Sequence, residues 1–511
     1  MKKTIYATIA MLLLCVFAFT ACSAGGLYDK DMSGRFYPPD GSQMDEGSDS
    51  GYIHDEIKEL DFVKTDKQPD VFLSLDRNTS GYSLMRRTIL GGSKVATDSV
   101  RLEDYVNYFN YTDVAHPEEG KSLAASGTVT DCPWNAEHKL LRVNVAAEQI
   151  STENKRVNNV VFLIDTSGSM YWGDRLPLVQ QAFTAMLPML TAEDRLSVVT
   201  YAGEERLLCE GVQCTDSEKA KVAAIIEDLE ASGSTNGEGG LKLAYKVAEK
   251  YFVKGGNNRI LLATDGDFNV GAGTPEQLKK LVSDKKSKAG VGLSILGVGM
   301  GNTRDDMMQA LSKNGDGNAY YIDNINEARK VLVEEFGGTM NTVAYDAKAG
   351  VTFNADVVDS YRVIGYENSL MCEEDFNDDN KDAGEIGSGH VVTAVYEIAL
   401  KDGVTSGKVC DVKVKYRKEA KTDDNAAEVV DVTAQVTLDG AYTPTADDKF
   451  VACVVEFGLI LRDSKYKGDA NFADILQTLD SLGKYVSADS FKAEFVTVVN
   501  KAAEIYGKAE V

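Results

Sequence analysis

Residues Val160 to Met170, which read VVFLIDTSGSM, decide the fold of the central part of this 511-residue chain. Val160 to Ile164 is an unbroken apolar run that ends at Asp165. A run of this kind, closed by polar residues and glycine, predicts a strand buried on both faces, as in a parallel sheet. Because open α/β sheets bind ligands at the carboxyl ends of their strands, we expect Asp165, Ser167 and Ser169 to face a ligand there.

The D-x-S-x-S spacing supplies one carboxylate and two hydroxyls, an all-oxygen set of donors that hard divalent cations prefer. This spacing resembles the metal-ion-dependent adhesion site of von Willebrand factor type A domains. The resemblance implies two further metal ligands on separate loops, a threonine and an aspartate. Thr235, within SGSTNGEGG, and Asp265, which follows the apolar strand Ile260 to Ala263, match them in order. The alternative is an ordinary strand-end turn with a serine helix cap.

The same resemblance implies a mode of action without chemistry. The bound ion, Mg²⁺ or else Mn²⁺ or Ca²⁺, would accept an Asp or Glu side chain from an unknown protein partner. Neutral hydroxyl ligands leave the ion part of its positive charge, which favours this capture. Tyr171 and Trp172 directly follow the loop that carries Asp165, Ser167 and Ser169, which we call the metal loop. We expect these two residues either at the rim of the surface that binds the partner or in the core.

Residues 158–338 are predicted to form an α/β domain with a doubly wound, mostly parallel sheet. Strand patterns alternate with helical patterns through this region, which is typical of βαβ units. Arg206 to Gln213 has mixed polarity and is predicted to be an edge strand that turns back. Asp174 is expected to cap the first helix, and Ile325 to Phe336 is predicted to form the last one.

In the regions that flank the α/β domain, the apolar residues recur with other spacings. Residues 339–440 alternate apolar and polar side chains, which predicts an antiparallel β-sandwich, and Leu141 to Val145 alternates in the same way within residues 53–157. We therefore predict that the α/β domain is inserted into one β-sandwich domain. Apolar helical faces in residues 441–511, which open with a capping box at Thr445, predict a C-terminal helical domain.

Residues 1–22 are predicted to be a targeting segment. Two lysines precede a mostly apolar run, and Thr20, Ala21 and Cys22 follow it. This pattern resembles a bacterial lipoprotein signal, which implies a lipidated Cys22, a membrane anchor and a place in the cell envelope at the outer membrane. A plain secretory signal and a retained membrane helix are the alternatives. Residues 23–52, rich in Gly, Ser and Asp, are predicted to be a flexible linker.

Composition narrows the choice of partners. The formal net charge of −25 argues against nucleic acid, which needs a basic face. The cysteines beyond the targeting segment fit no zinc spacing. Cys209 and Cys214 are near enough in sequence to close a small disulfide loop in an exported protein, and free thiols are the equal alternative.

The motifs do not match those of the enzymes that share part of this pattern. A magnesium-dependent aspartyl phosphatase needs a second acid two residues after its nucleophile, and Ser167 stands there. A serine hydrolase needs a serine in a G-x-S-x-G motif and a histidine partner, and neither Ser167 nor Ser169 lies in such a motif. A calcium loop at Asp375, Asn377 and Asp379 lacks the glycine and glutamate of an EF-hand, so a solvated acidic turn is expected instead. We therefore predict a protein that is not an enzyme.

Further segments resemble the YfbK-type bacterial lipoproteins, in which a type A domain lies between characteristic N- and C-terminal segments. They are SGYSLMRR (Ser80 to Arg87), RLEDYVNYF (Arg101 to Phe109), CPWN (Cys132 to Asn135), YRVIGYEN (Tyr361 to Asn368), EDFNDDNKDAGEIGSGH (Glu374 to His390) and SKYKGDANF (Ser464 to Phe472). The two resemblances together imply a metal-dependent adhesion or scaffolding protein. An envelope scaffold in which the metal only stabilises the fold is the alternative.

Overall fold

The structure is a computed structural model that describes residues 57–150, 156–266, 275–299, 305–420 and 427–507. The predicted targeting segment, with Cys22, and the linker that follows it lie outside the described residues. Within the described part of the chain, no helix is both long enough and apolar enough to cross a membrane.

The N-terminal region is distributed between a β-sandwich and a helical layer. Its elements are β1 (Val63–Lys64), β2 (Asp70–Ser74), α1 (Ser80–Leu90), α2 (Leu102–Asn107), β3 (Leu123–Asp131) and β4 (His138–Ala147). The strand β4 pairs antiparallel with β3 along nine residue pairs, from Leu123 opposite Ala147 to Asp131 opposite Lys139. The alternating residues at Leu141 to Val145 therefore form a strand, as predicted.

The central region forms the predicted α/β fold. Its elements are β5 (Asn158–Asp165), α3 (Leu176–Met186), β6 (Arg195–Tyr201), β7 (Glu205–Gln213), α4 (Asp216–Glu227), α5 (Gly237–Lys250), β8 (Asn257–Thr264), α6 (Pro275–Ala289), β9 (Gly292–Gly297), α7 (Asp305–Asn314), β10 (Ala319–Tyr321), α8 (Ile325–Arg329) and α9 (Phe336–Met340). The sheet order is β10-β9-β8-β5-β6-β7. All neighbouring strands are parallel except β7, which turns back antiparallel on β6 as predicted.

The strand β5 lies in the middle of this sheet and has helices on both sides. All of its residues are buried. Phe162 faces a core that contains Phe183 of α3, and the two rings stack with their centroids 4.1 Å apart. Val161 and Leu163 face the opposite core, which contains α5. An apolar run without alternation is required at this position because both faces of the strand are covered.

One local prediction for the α/β domain is wrong, because Arg175 rather than Asp174 is the N-cap residue of α3, and this helix has no side-chain cap. The predicted last helix is present, but it contains a π-helical turn, Lys330–Glu334, between α8 and α9. In this turn the Glu335 amide donates to the Lys330 carbonyl, five residues back, and their side chains form an ion pair. That pairing matches the wider π turn, which the apolar pattern does not encode.

The β-sandwich is completed after the α/β domain. The added elements are β11 (Thr342–Phe353), β12 (Val358–Ile364), β13 (Leu370–Met371), α10 (Glu373–Asn377), β14 (Gly384–Gly387), β15 (Val391–Leu400), β16 (Gly407–Arg417) and β17 (Val429–Leu438). One sheet has the order β1-β12-β15-β4-β3, and the other has the order β13-β2-β11-β16-β17 with β14 beside β11. Strands before and after the α/β domain share both sheets, which confirms the insertion.

The C-terminal helices are α11 (Ala446–Leu461), α12 (Phe472–Ser481), α13 (Lys484–Ser487) and α14 (Ser490–Tyr506). The predicted capping box at the start of α11 is present, with Thr445 and Asp448 bonded reciprocally. These helices share their core with α1 and α2. Phe109 packs edge-to-face on Phe450 and Phe495, with centroids 4.8 and 5.6 Å apart. The helical region is confirmed, but it includes N-terminal residues whose contribution the sequence pattern did not reveal.

The described cysteines are free thiols, Cys209 and Cys214 among them. Cys214 is buried and Cys209 is half-buried. The small disulfide loop that was one alternative for this pair is therefore not formed.

Candidate metal centre

The sheet register brings the predicted metal loops to one edge. Asp165 ends β5 and lies opposite Tyr201 of β6, while Ile164 lies opposite Ala263 of β8. Because these strands are parallel, the residues that follow each of them emerge at the same edge. Asp265, which directly follows β8, is thereby placed beside the Asp165 loop.

The Asp165 carboxylate is fully buried and is held by protein donors. Its Oδ1 accepts a hydrogen bond from the Ser167 amide at 2.9 Å. Its Oδ2 accepts bonds from the hydroxyls of Tyr201 and Thr264, at 3.1 and 3.2 Å. Burial raises the pKa of Asp165 to about 6, the bonds from Ser167 oppose that rise, and the nearby charge of Asp265 adds to it. Sequence reasoning missed Tyr201 and Thr264, since neither belongs to the motif.

The hydroxyl candidates lie on two loops that are bonded to each other. The hydroxyl oxygens of Ser167 and Ser169 are 3.1 Å apart. The loop that carries Thr235 is joined to the metal loop on either side of Ser167. The Gly168 amide donates to the Gly233 carbonyl, and the Ser232 amide donates to the Thr166 carbonyl. The two loops are thus neighbours, although the sequence separates them by about seventy residues.

Asp265 makes an ion pair that the sequence did not predict. Nη1 of Arg175 lies 2.5 Å from Oδ2 of Asp265 and donates to the Ser169 carbonyl at 2.8 Å. The Asp265 side chain is fully buried, and that of Arg175 is 12% exposed. A single arginine before a helix is an ordinary surface pattern, so nothing in the local pattern indicates this role.

This arrangement suits a divalent cation. Asp165, Ser167, Ser169, Thr235 and Asp265 would supply oxygen ligands, which Mg²⁺, Mn²⁺ and Ca²⁺ accept. The negative charge of Asp265 helps to raise the pKa of the buried Asp165 carboxyl, and a bound cation would offset that repulsion. The donor chemistry of these residues and the burial of Asp165, Ser167 and Asp265 therefore fit the metal that the motif implies.

Two exposed aromatic side chains lie directly after the metal loop. Tyr171 is 73% exposed and Trp172 is 50% exposed, and their rings meet edge-to-face with centroids 6.2 Å apart. Both residues therefore lie at the surface and not in the core, which was the other alternative for them. Arg87 of α1 joins the same rim, since it forms an ion pair with Asp174 and donates to the Tyr321 hydroxyl. The flanking helix α1 therefore reaches the loop region of the metal centre.

Two other acidic clusters in the described residues already have basic partners. Asp316, Asp382 and Glu385 bring their carboxylates within 4.8 Å of one another. Nζ of Lys286 lies 2.5 Å from Asp316 and 2.8 Å from Asp382, so this cluster forms an ion-pair network between α6 and the β-sandwich. The predicted acidic turn is paired as well, with Asp375 on Lys381 and Asp379 on Lys415.

Comparison with known proteins agrees with this architecture. The family described as "Uncharacterized protein YfbK, C-terminal" matches residues 338–505. The family described as "von Willebrand factor type A domain" matches residues 158–321, and that described as "von Willebrand factor" matches residues 49–142. The uncharacterized protein YfbK of Escherichia coli (strain K12) is 37% identical over 465 residues, which cover 85% of this chain and 78% of that protein. The chain belongs to the YfbK family.

More distant relatives share part of this YfbK-family chain. The uncharacterized protein sll0103 of Synechocystis is 30% identical over 212 residues, 40% of this chain and 47% of that protein. The human inter-alpha-trypsin inhibitor heavy chain H3 is 29% identical over 150 residues, 28% of this chain and 16% of that protein. The type A domain found in this YfbK-family protein points to protein–protein interaction or adhesion.

Solved structures resemble the fold with low sequence identity. A von Willebrand factor type A protein from Catenulispora acidiphila has a TM-score of 0.40 and 14% identity, covering 73% of this chain and 84% of that one. The ArnB paralog VWA2 from Sulfolobus acidocaldarius has a TM-score of 0.36 and 14% identity, covering 76% of this chain and 100% of that one. Both scores are low, so the fold of this YfbK-family protein rests on its own sheet order and on the matched families.

Proposed function

We propose that this protein is a non-catalytic, metal-dependent binding protein of the bacterial cell envelope. A divalent ion, Mg²⁺ in the first place, is held by the Asp165 loop and accepts an acidic side chain from a protein partner. The observation that carries this proposal is the meeting of Asp165, the two serine hydroxyls and Asp265 at one edge of the sheet, all of them oxygen donors.

The surroundings of the centre also support binding rather than catalysis. Tyr171 and Trp172 offer exposed aromatic surface beside the loop, and such residues contribute strongly to protein interfaces. Residue 167 is a serine, so the acid that phosphoryl transfer from an aspartate requires is missing from the motif. The proposal assigns to the metal an electrostatic role, the attraction of a carboxylate.

The proposed location follows from the lipoprotein-like start of the sequence. Lipidation at Cys22 would hold the body at the outer membrane through residues 23–52. An acidic body with a net charge of −25 gains nothing from anionic headgroups, so the anchor has to be the lipid itself. Membrane fractionation of a Cys22→Ala variant tests this point, since the variant is expected in the soluble fraction.

Photo-cross-linking in cells tests the binding function. A Tyr171→p-benzoylphenylalanine variant is expected to cross-link to a protein partner, and the product is expected to disappear with Asp165→Asn or with a chelator. The matched control carries the same photo-reactive residue at Phe252, which is 43% exposed and follows the far end of α5. Cross-links that persist in Asp165→Asn would favour the alternative, a scaffold in which the metal only stabilises the fold.

A further inference from the structure

Arg175 holds a position that carboxylate capture by a metal does not by itself require. Its guanidinium joins two of the loops that carry the candidate ligands, through the Asp265 carboxylate at 2.5 Å and the Ser169 carbonyl at 2.8 Å. The ion pair is largely shielded from water, since the two side chains are 12% and 0% exposed. A positive charge is therefore fixed at the metal centre by the fold itself.

The backbone around Arg175 leaves room for this side chain. Gly299, two residues after β9, has φ +78°, and a Cβ atom built there would lie 2.4 Å from Nε of Arg175. Any other residue at 299 would displace the guanidinium and would also be strained. The Gly299 carbonyl accepts a hydrogen bond from the Tyr321 hydroxyl at 2.5 Å, which holds this segment in place.

Arg175 changes the net charge of the metal centre. The carboxylates of Asp165 and Asp265 carry two negative charges and Arg175 carries one positive charge, so the set is singly negative without a metal and singly positive with a divalent ion. Without Arg175 the metal-loaded set would be neutral. Because charge interactions are strong where water is excluded, this difference acts on metal and carboxylate in opposite directions.

We propose that Arg175 divides the binding strength of the centre between the metal and the partner. Its charge weakens the hold on the divalent cation and strengthens the hold of the metal-loaded centre on a carboxylate. This inference rests on the proposed function, because it concerns the same metal centre. It makes Arg175 a specificity-determining residue for acidic partners, although it is not a metal ligand.

The test measures Mg²⁺ binding to the full chain by isothermal titration calorimetry, with Mg²⁺ alone as the probe. Arg175→Gln is expected to bind Mg²⁺ about 10-fold tighter than the wild type, and Arg175→Met, which reproduces only the apolar stem of the side chain, is expected to do the same. Arg175→Lys keeps the charge and is expected to stay near the wild type. The matched control is Lys250→Gln, which removes the same charge from an exposed ion pair with Glu210 and is expected to change nothing.

Acetate is the probe for the second half of the inference. The chain has two tryptophans, of which Trp134 is 1% exposed and Trp172 is 50% exposed beside the metal loop, so Trp172 fluorescence reports on this face. With saturating Mg²⁺, the wild type is expected to bind acetate about 10-fold tighter than Arg175→Gln. Circular dichroism confirms that the variants are folded.

The results distinguish a failure of the proposed function from a failure of the inference about Arg175. If the wild type binds no Mg²⁺, the proposed function fails and this inference fails with it. If the wild type binds Mg²⁺ while Arg175→Gln and Arg175→Met bind it equally or more weakly, the inference alone is overturned. Weaker binding by the variants would show that Arg175 instead orients Asp265. Equal acetate affinity in the wild type and the neutral variants would also overturn it.

Discussion

Replacing Arg86 with methionine is expected to destabilise the protein strongly, because Arg86 ties three regions together. It lies on α1 and is 1% exposed. Its guanidinium forms an ion pair with Asp323, lies 2.9 Å from Glu327 of α8, and lies 2.9 Å from Glu494 of α14. It also donates to the hydroxyl of Tyr108, which in turn donates to Glu327.

The expected cost follows from the carboxylates that the variant leaves behind. The side chains of Asp323 and Glu327 are 4% and 1% exposed, so neither gains water when the arginine is removed. Breaking a buried ion pair by removing one partner costs about 3–5 kcal/mol, and methionine fills much of the lost volume. Burial already raises the pKa values of both acids against the opposing charge of Arg86. The cost is therefore expected to be larger at pH 8 than at pH 5, where protonation relieves it.

Urea unfolding followed by circular dichroism measures this cost. Arg87→Met is the matched control on the same helix, since the Arg87 side chain is 21% exposed and its partner Asp174 is 35% exposed. The control is expected to cost about 1 kcal/mol or less. Adding Glu327→Gln to Arg86→Met is expected to restore part of the loss, because it removes one of the unpaired charges. Equal losses in Arg86→Met and Arg87→Met would refute the reasoning.

The remaining predictions concern pH, metal and surface. Burial and the neighbouring Glu367 raise the pKa of Glu103 to about 8, so the folded state keeps a proton that the unfolded state loses, and stability falls as pH rises from about 4.5 to about 8. Glu103→Gln is expected to flatten this slope and to gain about 5 kcal/mol at pH 9 in urea unfolding; an unchanged slope contradicts the assignment. Mg²⁺ at 100 times its Kd is expected to stabilise the wild type by about 2.7 kcal/mol, and Asp165→Asn is expected to lose that gain in thermal melts. Trp172→Ala is expected to change the free energy of unfolding by less than about 0.5 kcal/mol, because the side chain is half exposed; a larger loss would show that it packs in the core.

Local patterns were sufficient to predict the central sheet, whereas the resemblance to type A domains supplied the full set of candidate ligands. The run from Val160 to Ile164 is apolar at every position because the strand is covered on both faces, and that requirement is visible in the sequence. The turned-back strand at Arg206 to Gln213 was also recognisable, since an edge strand tolerates polar residues. The N-terminus of α3 was not predicted correctly, because the Asp174 carboxylate forms an ion pair with Arg87 of α1 and does not cap α3.

The sequence by itself determined which faces of the helices and strands are buried and where polar loops end the strands. The tertiary structure alone decided which distant groups meet. Arg86 and Glu494 are 408 residues apart in the chain, and Arg175 and Asp265 are 90 apart. The physical reason is that periodicity reports only whether a side chain leaves water, whereas the partner of a buried charge depends on how whole elements pack. The shared core of α1, α2 and the C-terminal helices was hidden for the same reason, since an apolar face does not name the face that covers it.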